Sequence, residues 1–205
     1  MIKIGIDVGS TTAKLVAVDE NDNLLFSKYE RHNAKAKETI LSFLKELLSE
    51  IGDKDISVRI TGSIGMGISE KCSLPFVQEV VAAAKAIQKD YSHVTSMIDI
   101  GGEDAKVVFF KDAEATDLRM NGNCAGGTGA FIDQMAIILG VNIDELNQLA
   151  MNATQVYPIA SRCGVFCKTD IQNLIAKNVS RENIAASIFR AVAVQTVVTL
   201  AHGCD

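Results

Sequence analysis

The chain has 205 residues, 48% hydrophobic and 22% charged, with a formal net charge of −5, a balance that fits a globular protein of one large domain or two small ones. Scattered Lys and Arg, no Trp and only 5% aromatic residues argue against a nucleic-acid face. No basic start leads into an apolar stretch, and the apolar runs fall short of the ~20 residues that span a bilayer, so neither a secretory leader nor a membrane span is expected.

The first elements are strands. Residues 1–7 alternate into an apolar run. A turn at Gly9-Ser10-Thr11-Thr12 leads into a strand over 14–19, and 24–30 makes a third. Together they predict an antiparallel meander. Ile40, Phe43, Leu44, Leu47, Leu48 and Ile51 fall at helical spacing and predict a core-facing helix over 39–51. A strand at 57–61, a glycine-broken loop at 62–67 and a helix over 76–89 follow.

Strands at 95–100 and 105–110 flank a second glycine turn. Beyond it the pattern is helical: 128–139, 144–151, 169–176 and 181–202. No linker marks a boundary. The change from strands to helices suggests two subdomains, 1–112 and 113–205, the second incomplete.

Two turns echo each other. Asp7-Val8-Gly9-Ser10-Thr11-Thr12-Ala13-Lys14 and Asp99-Ile100-Gly101-Gly102-Glu103-Asp104-Ala105-Lys106 each place Asp, Gly and Lys at the same spacing. A tight glycine turn presents backbone N–H groups and hydroxyls to phosphate oxygens. Gly9, Ser10, Thr11 and Thr12 supply such donors in the first, with Lys14 as a point charge. Gly101 and Gly102 allow close backbone approach in the second. Asp7 and Asp99 sit at strand ends, where a carboxylate can hold Mg²⁺ directly or through water. Two such turns facing each other would clamp a polyphosphate. Neither is a Walker A loop or a dinucleotide fingerprint, and an Asp-x-Gly hairpin alone is more often just a turn.

A third glycine-rich stretch, Asn121 to Phe131, reads Asn-Gly-Asn-Cys-Ala-Gly-Gly-Thr-Gly-Ala-Phe. It precedes a helix whose first N–H groups would favour an anion. Cys124 adds a soft metal ligand there. The five cysteines are Cys72, Cys124, Cys163, Cys167 and Cys204. An odd count without a leader fits a reducing compartment and metal or catalytic roles better than a disulfide framework. The gap between Cys163 and Cys167 is not the CxxC of a zinc finger. Cys72 reads as core and Cys167 as a half-buried free thiol. His32, His93 and His202 have no ligand spacing and read as surface or core.

These motifs resemble a known superfamily. DVGSTTAK (7–14) and DIGGEDAK (99–106) resemble the two phosphate motifs of the acetate kinase, sugar kinase, chaperone and actin superfamily. NGNCAGGTGAF (121–131) resembles its connecting motif, with the cysteine of one branch. That branch holds the ATP-dependent activators of 2-hydroxyacyl-CoA dehydratases and the benzoyl-CoA reductase ATPase subunits, the BadF/BadG/BcrA/BcrD ATPases. Ser161-Arg162-Cys163-Gly164-Val165-Phe166 resembles the branch's second cysteine motif. YERHN (29–33) and the wording of 119–136 look closest to the long, fused form.

The resemblance implies a ribonuclease H-like, actin-like ATPase fold of class α/β, with two such halves and ATP bound between them. Asp7, Asp99 or Glu103 would organise Mg²⁺ and the attacking water. Gly9, Ser10, Thr11, Thr12, Lys14, Gly101, Gly102, Asp104, Lys106, Gly126, Gly127, Thr128 and Gly129 would line the nucleotide. Cys124 and Cys163 would each bind a 4Fe–4S cluster shared across a homodimer, or with a second copy in a fused chain. A cubane cluster wants four thiolates, and a symmetric pair of chains supplies them. The expected partner is a 2-hydroxyacyl-CoA dehydratase or similar reductase, in the cytoplasm, with no nucleic acid and no membrane.

The superfamily's adenosine motif normally follows the helix that here runs to His202. A fragment of a longer protein is therefore expected. Two other readings stay open at this point: a small-molecule kinase of the same superfamily, and a nucleotide-binding module without turnover.

Overall fold

The computed structural model describes residues 1–111, 114–121, 126–160 and 164–201. They form two compact units, Met1–Ser92 and His93 onward. The division falls ahead of the boundary suggested by sequence at residue 112, because the second glycine turn sits in a sheet of its own.

The first unit is a mixed four-stranded sheet in the order β3-β2-β1-β4. Strands β1 (Ile2–Val8), β2 (Thr12–Val18) and β3 (Leu24–Arg31) form the expected antiparallel meander. Strand β4 (Ile56–Thr61) runs parallel to β1 on its other side. Ile2, Ile4, Ile6 and Val8 all point to one face and are buried. Helix α1 (Ala36–Ile51) makes the crossover and covers that face with Ile40, Phe43, Leu47 and Ile51. Full burial of Phe43 and Leu47 stabilises this core by about 2–3 kcal/mol each. The helix ends at Gly52, whose φ of 64° suits glycine.

Two boundaries differ from the sequence reading. Residues 62–67 are not all loop: helix α2 (Gly65–Cys72) begins there and leaves Cys72 exposed, not in the core. Helix α3 (Glu79–Asp90) starts later than residue 76. Pro75 and Val77 are bonded to β4 instead, through Ile60 N–H to Pro75 O (3.0 Å) and Val77 N–H to Ile60 O (2.8 Å).

The second unit pairs an antiparallel sheet, β5 (Ser96–Ile100), β6 (Ala105–Lys111) and β7 (Glu114–Met120), with four helices. These are α4 (Gly129–Leu139), α5 (Ile143–Met151), α6 (Gly164–Ala176) and α7 (Arg181–Leu200). Their core gathers Phe131, Met135, Leu146, Cys167, Ile171, Ile184 and Ile188. Leu200 packs on Ala105 and Val107 of β6. Helix α7 is long and apolar enough to cross a membrane, but 56% of its most apolar window is buried in this unit. Its inward side carries Asn183 and Ser187, which accept backbone N–H groups of 154–157.

Candidate nucleotide site

The first turn is built by the β1–β2 hairpin. Asp7 and Lys14 are partners across it, and Lys14 Nζ donates to Asp7 Oδ2 at 2.6 Å. Burial disfavours the lysine charge, but the hydrogen bond and charge of Asp7 outweigh it, so its pKa lies above the usual lysine value. Gly9 N–H is spent within the turn, on Thr12 O at 3.0 Å, so it is not a free phosphate donor. The amides of Ser10 and Thr11 donate to nothing among the described residues.

His32 braces the turn from below. It is buried, its Nε2 lies 3.0 Å from Gly9 O, and its N–H donates to Thr11 O. A carbonyl can only accept, so Nε2 carries the proton. Sequence reasoning passed over this histidine because no ligand spacing surrounds it.

The second turn repeats the geometry. Asp99 and Lys106 are partners across β5 and β6, as Asp7 and Lys14 are across β1 and β2. Lys106 is buried, 3.0 Å from Asp104 Oδ2 and 4.0 Å from Asp99 Oδ2. Among the described residues this lysine stands between two carboxylates, oxygen ligands of the kind a divalent cation takes. Glu103 is exposed beside them. A side chain at Gly101 would meet Asp104 Oδ1 at 2.5 Å, so glycine there keeps the carboxylate in place. Among the described residues no three His, Cys, Asp or Glu side chains form a ready metal cage.

The connecting segment is stapled to this second turn at both ends. At its start Asn121 clasps Ala105: Asn121 N–H donates to Ala105 O (2.9 Å) and Ala105 N–H to Asn121 Oδ1 (2.8 Å). At its end Gly129 N–H donates to Gly101 O (2.8 Å) and Ala130 N–H to Gly102 O (2.9 Å). The expected anion site at this helix start is therefore corrected for those two donors, which the turn's own carbonyls have taken. Gly126, Gly127 and Thr128 are buried. Gly127, at φ 85°, lies against Gln195 of α7. These residues join the turn to the helices.

Cys124 and Cys163 lie outside the described residues. The nearest described residues on the helix side of each, Gly126, Gly127 and Gly164, line one small space with Phe131 and Ala160. Helix α6 starts at Gly164, directly after Cys163, earlier than residue 169. Cys167 is 1% exposed and belongs to the core, more deeply than the sequence suggested. Burial, then the Asp170 charge, pushes its thiol up to about 11, which leaves it protonated and a poor metal ligand.

The motifs thus sit on a strand–turn–strand frame used twice. Comparison with known proteins decides the lineage: the family model described as BadF/BadG/BcrA/BcrD ATPase family matches residues 4–202. The chain belongs to that family. The 2-hydroxyisocaproyl-CoA dehydratase activator of Clostridioides difficile is 31% identical over 94% of this chain and 73% of its own. The (R)-2-hydroxyglutaryl-CoA dehydratase activating ATPase of Acidaminococcus fermentans is 28% identical over 95% of this chain and 75% of its own. The solved structure of the Clostridium difficile activator with bound ADPNP superposes with a TM-score of 0.87 at 29% identity, covering 97% of this chain and 74% of that one. This family member therefore has the actin-like ATPase fold expected from its motifs, and spans about three quarters of the length of those relatives.

Proposed function

We propose that the chain is an ATP-hydrolysing activator that delivers a low-potential electron from a 4Fe–4S cluster to a 2-hydroxyacyl-CoA dehydratase or a related reductase in the cytoplasm. Relatives named as activators of three such dehydratases support the activator role. The observation that carries the coupling is the double staple: the segment holding Cys124 begins and ends on the second phosphate turn. Whatever shifts Gly101 and Gly102 pulls directly on the start of α4.

Lys14 and the amides of Ser10 and Thr11 bind phosphate oxygens of Mg-ATP, and Asp7 faces its Mg²⁺ through the ion's water shell. Asp99, Asp104 and Glu103 hold the Mg²⁺ side and orient water. Gly126, Gly127 and Gly164, which border the two cysteine segments, line one small space, and a cluster would be held by the thiolates of Cys124 and Cys163. Two thiolates per chain call for a homodimer, or for a second copy in a fused chain, to complete four. When bound, the cluster supplies the one-electron reductant.

Anaerobic purification with iron and sulfide analysis and sizing tests this. A brown dimer with about four irons per pair of chains is expected, and Cys124→Ser removes the iron while the far-UV spectrum stays unchanged. Full iron in Cys124→Ser, or a colourless protein that phosphorylates an added sugar or carboxylate, overturns the reading.

A further inference from the structure

We propose that Thr61 belongs to the site: its hydroxyl and Asp7 Oδ1 together hold one water of the Mg²⁺ hydration shell that accompanies the nucleotide. This rests on reading the Asp7–Lys14 turn as a phosphate site. Thr61 lies at the end of β4, and it is the partner of Asp7 across the parallel β1–β4 pair. Paired residues on neighbouring strands stand about 4.8 Å apart with side chains on one face.

Three buried side-chain polar atoms lack a hydrogen-bond partner among the described residues: Asp7 Oδ1, Thr61 Oγ1 and His32 Nδ1. All three belong to residues of the first turn or its supports. Buried polar atoms are nearly always partnered, so the unmet Asp7 Oδ1 and Thr61 Oγ1, on paired residues of one cleft, mark a place built for something else. Lys14 already occupies Asp7 Oδ2, which leaves Oδ1 as the carboxylate's remaining acceptor. Asp7, Lys14 and Thr61 line the same cleft, of about 490 Å³.

The next residue fits the same purpose. Gly62 has φ 91°, and a Cβ there would stand 2.5 Å from Asp7 Oδ1. Only glycine lets the carboxylate sit where it does. The donor set names the ligand. A carboxylate oxygen only accepts, whereas a hydroxyl accepts and donates. A water meets both, and Mg²⁺ keeps several of its waters while binding through one or two carboxylates. Sequence reading could not find Thr61, because its link to Asp7 arises from a pairing across the whole α1 crossover.

The test uses full-length protein, a fluorescent ATP analogue titrated over a range of Mg²⁺ concentrations, and thermal melting without nucleotide. Thr61→Val keeps the shape and removes the hydroxyl. Expected is a loss of about tenfold or more in Mg-dependent affinity, as for a hydrogen bond in a charged network. Affinity without Mg²⁺ stays unchanged, and the melting temperature stays equal or rises. Thr61→Ser should bind like the parent. Unchanged Mg-dependent binding in Thr61→Val overturns the inference. So does weakened binding with a lowered melting temperature that Ser does not restore, since that marks a structural role. Asp7→Asn separates the two levels: if it also leaves binding intact, the phosphate-site reading itself fails.

Discussion

Replacing Gly62 with Ala tests how tightly the first turn is fitted. The residue sits at φ 91°, a left-handed conformation that costs a residue with a Cβ about 1–2 kcal/mol. The new methyl would also overlap Val8 O and stand 2.5 Å from Asp7 Oδ1. Val8 O is already held by Ile64 N–H at 2.9 Å. Moving the end of β1 or the start of α2 to make room adds about 1–3 kcal/mol, as overpacking does elsewhere. The total of about 2–5 kcal/mol lowers the melting temperature of a unit this size by about 10–30 °C. Far-UV circular dichroism on heating reads it. Gly67→Ala is the internal control: it lies in α2, with nothing within 4 Å of the added methyl. That change should stabilise by about 0.5–1 kcal/mol, through backbone entropy. A Gly62→Ala protein melting within about 3 °C of the parent would refute the steric account.

The Asp22 turn gives a pH signature. Hydrogen bonds from Lys89 (2.5 Å) and Lys3 (2.9 Å) hold the Asp22 carboxyl down to about 2. A carboxyl depressed in the fold adds stability above its unfolded value, near 4, and loses it as pH falls toward 2. Asp22→Asn keeps a residue suited to the local φ of 63°. The urea midpoint of this variant should therefore fall slightly below the parent at pH 6, with the gap closing by pH 2. In the second unit, Asn183 Oδ1 accepts Thr154 N–H and Gln155 N–H at 2.9 and 3.0 Å. Asn183→Leu strands both donors and costs about 2–4 kcal/mol, whereas Asn183→Asp, which keeps the acceptor, stays closer to the parent in the same urea titration.

Local patterns carried most of the fold into the sequence. The meander, α1 and the helices α4, α5 and α7 follow from runs whose period or caps are self-contained, such as Asn142 capping α5 through Glu145. Three elements hid. Strand β7 reads Glu-Ala-Thr-Asp-Leu-Arg-Met, an exposed edge strand with no apolar face to announce it. Helix α2 opens with Gly-Met-Gly, which carries little helix preference. Helix α6, expected from residue 169, starts earlier, at Gly164 inside a cysteine motif. The fates of Cys72 and Cys167 likewise depended on long-range packing, which local spacing does not encode.

The site divides along the same line. Both turns place Asp seven residues before Lys, and in each the pair faces across a hairpin in the same register. The backbone device is therefore one, used twice. The side chains differ position by position: Ser10, Thr11 and Thr12 stand where the second turn has Gly102, Glu103 and Asp104. A row of hydroxyls offers hydrogen-bond donors to phosphate, whereas a row of carboxylates cannot, and suits a cation instead. The sequence reading did not draw this contrast: it gave both turns one task, phosphate binding with Asp7 and Asp99 beside Mg²⁺. What needed the structure was the tether: Gly101 and Gly102 present their carbonyls to α4. The acidic turn is thereby bonded to both described ends of the segment that carries Cys124. Under the proposed function, a shift of the Gly101 and Gly102 carbonyls would reach the start of α4 through these bonded contacts.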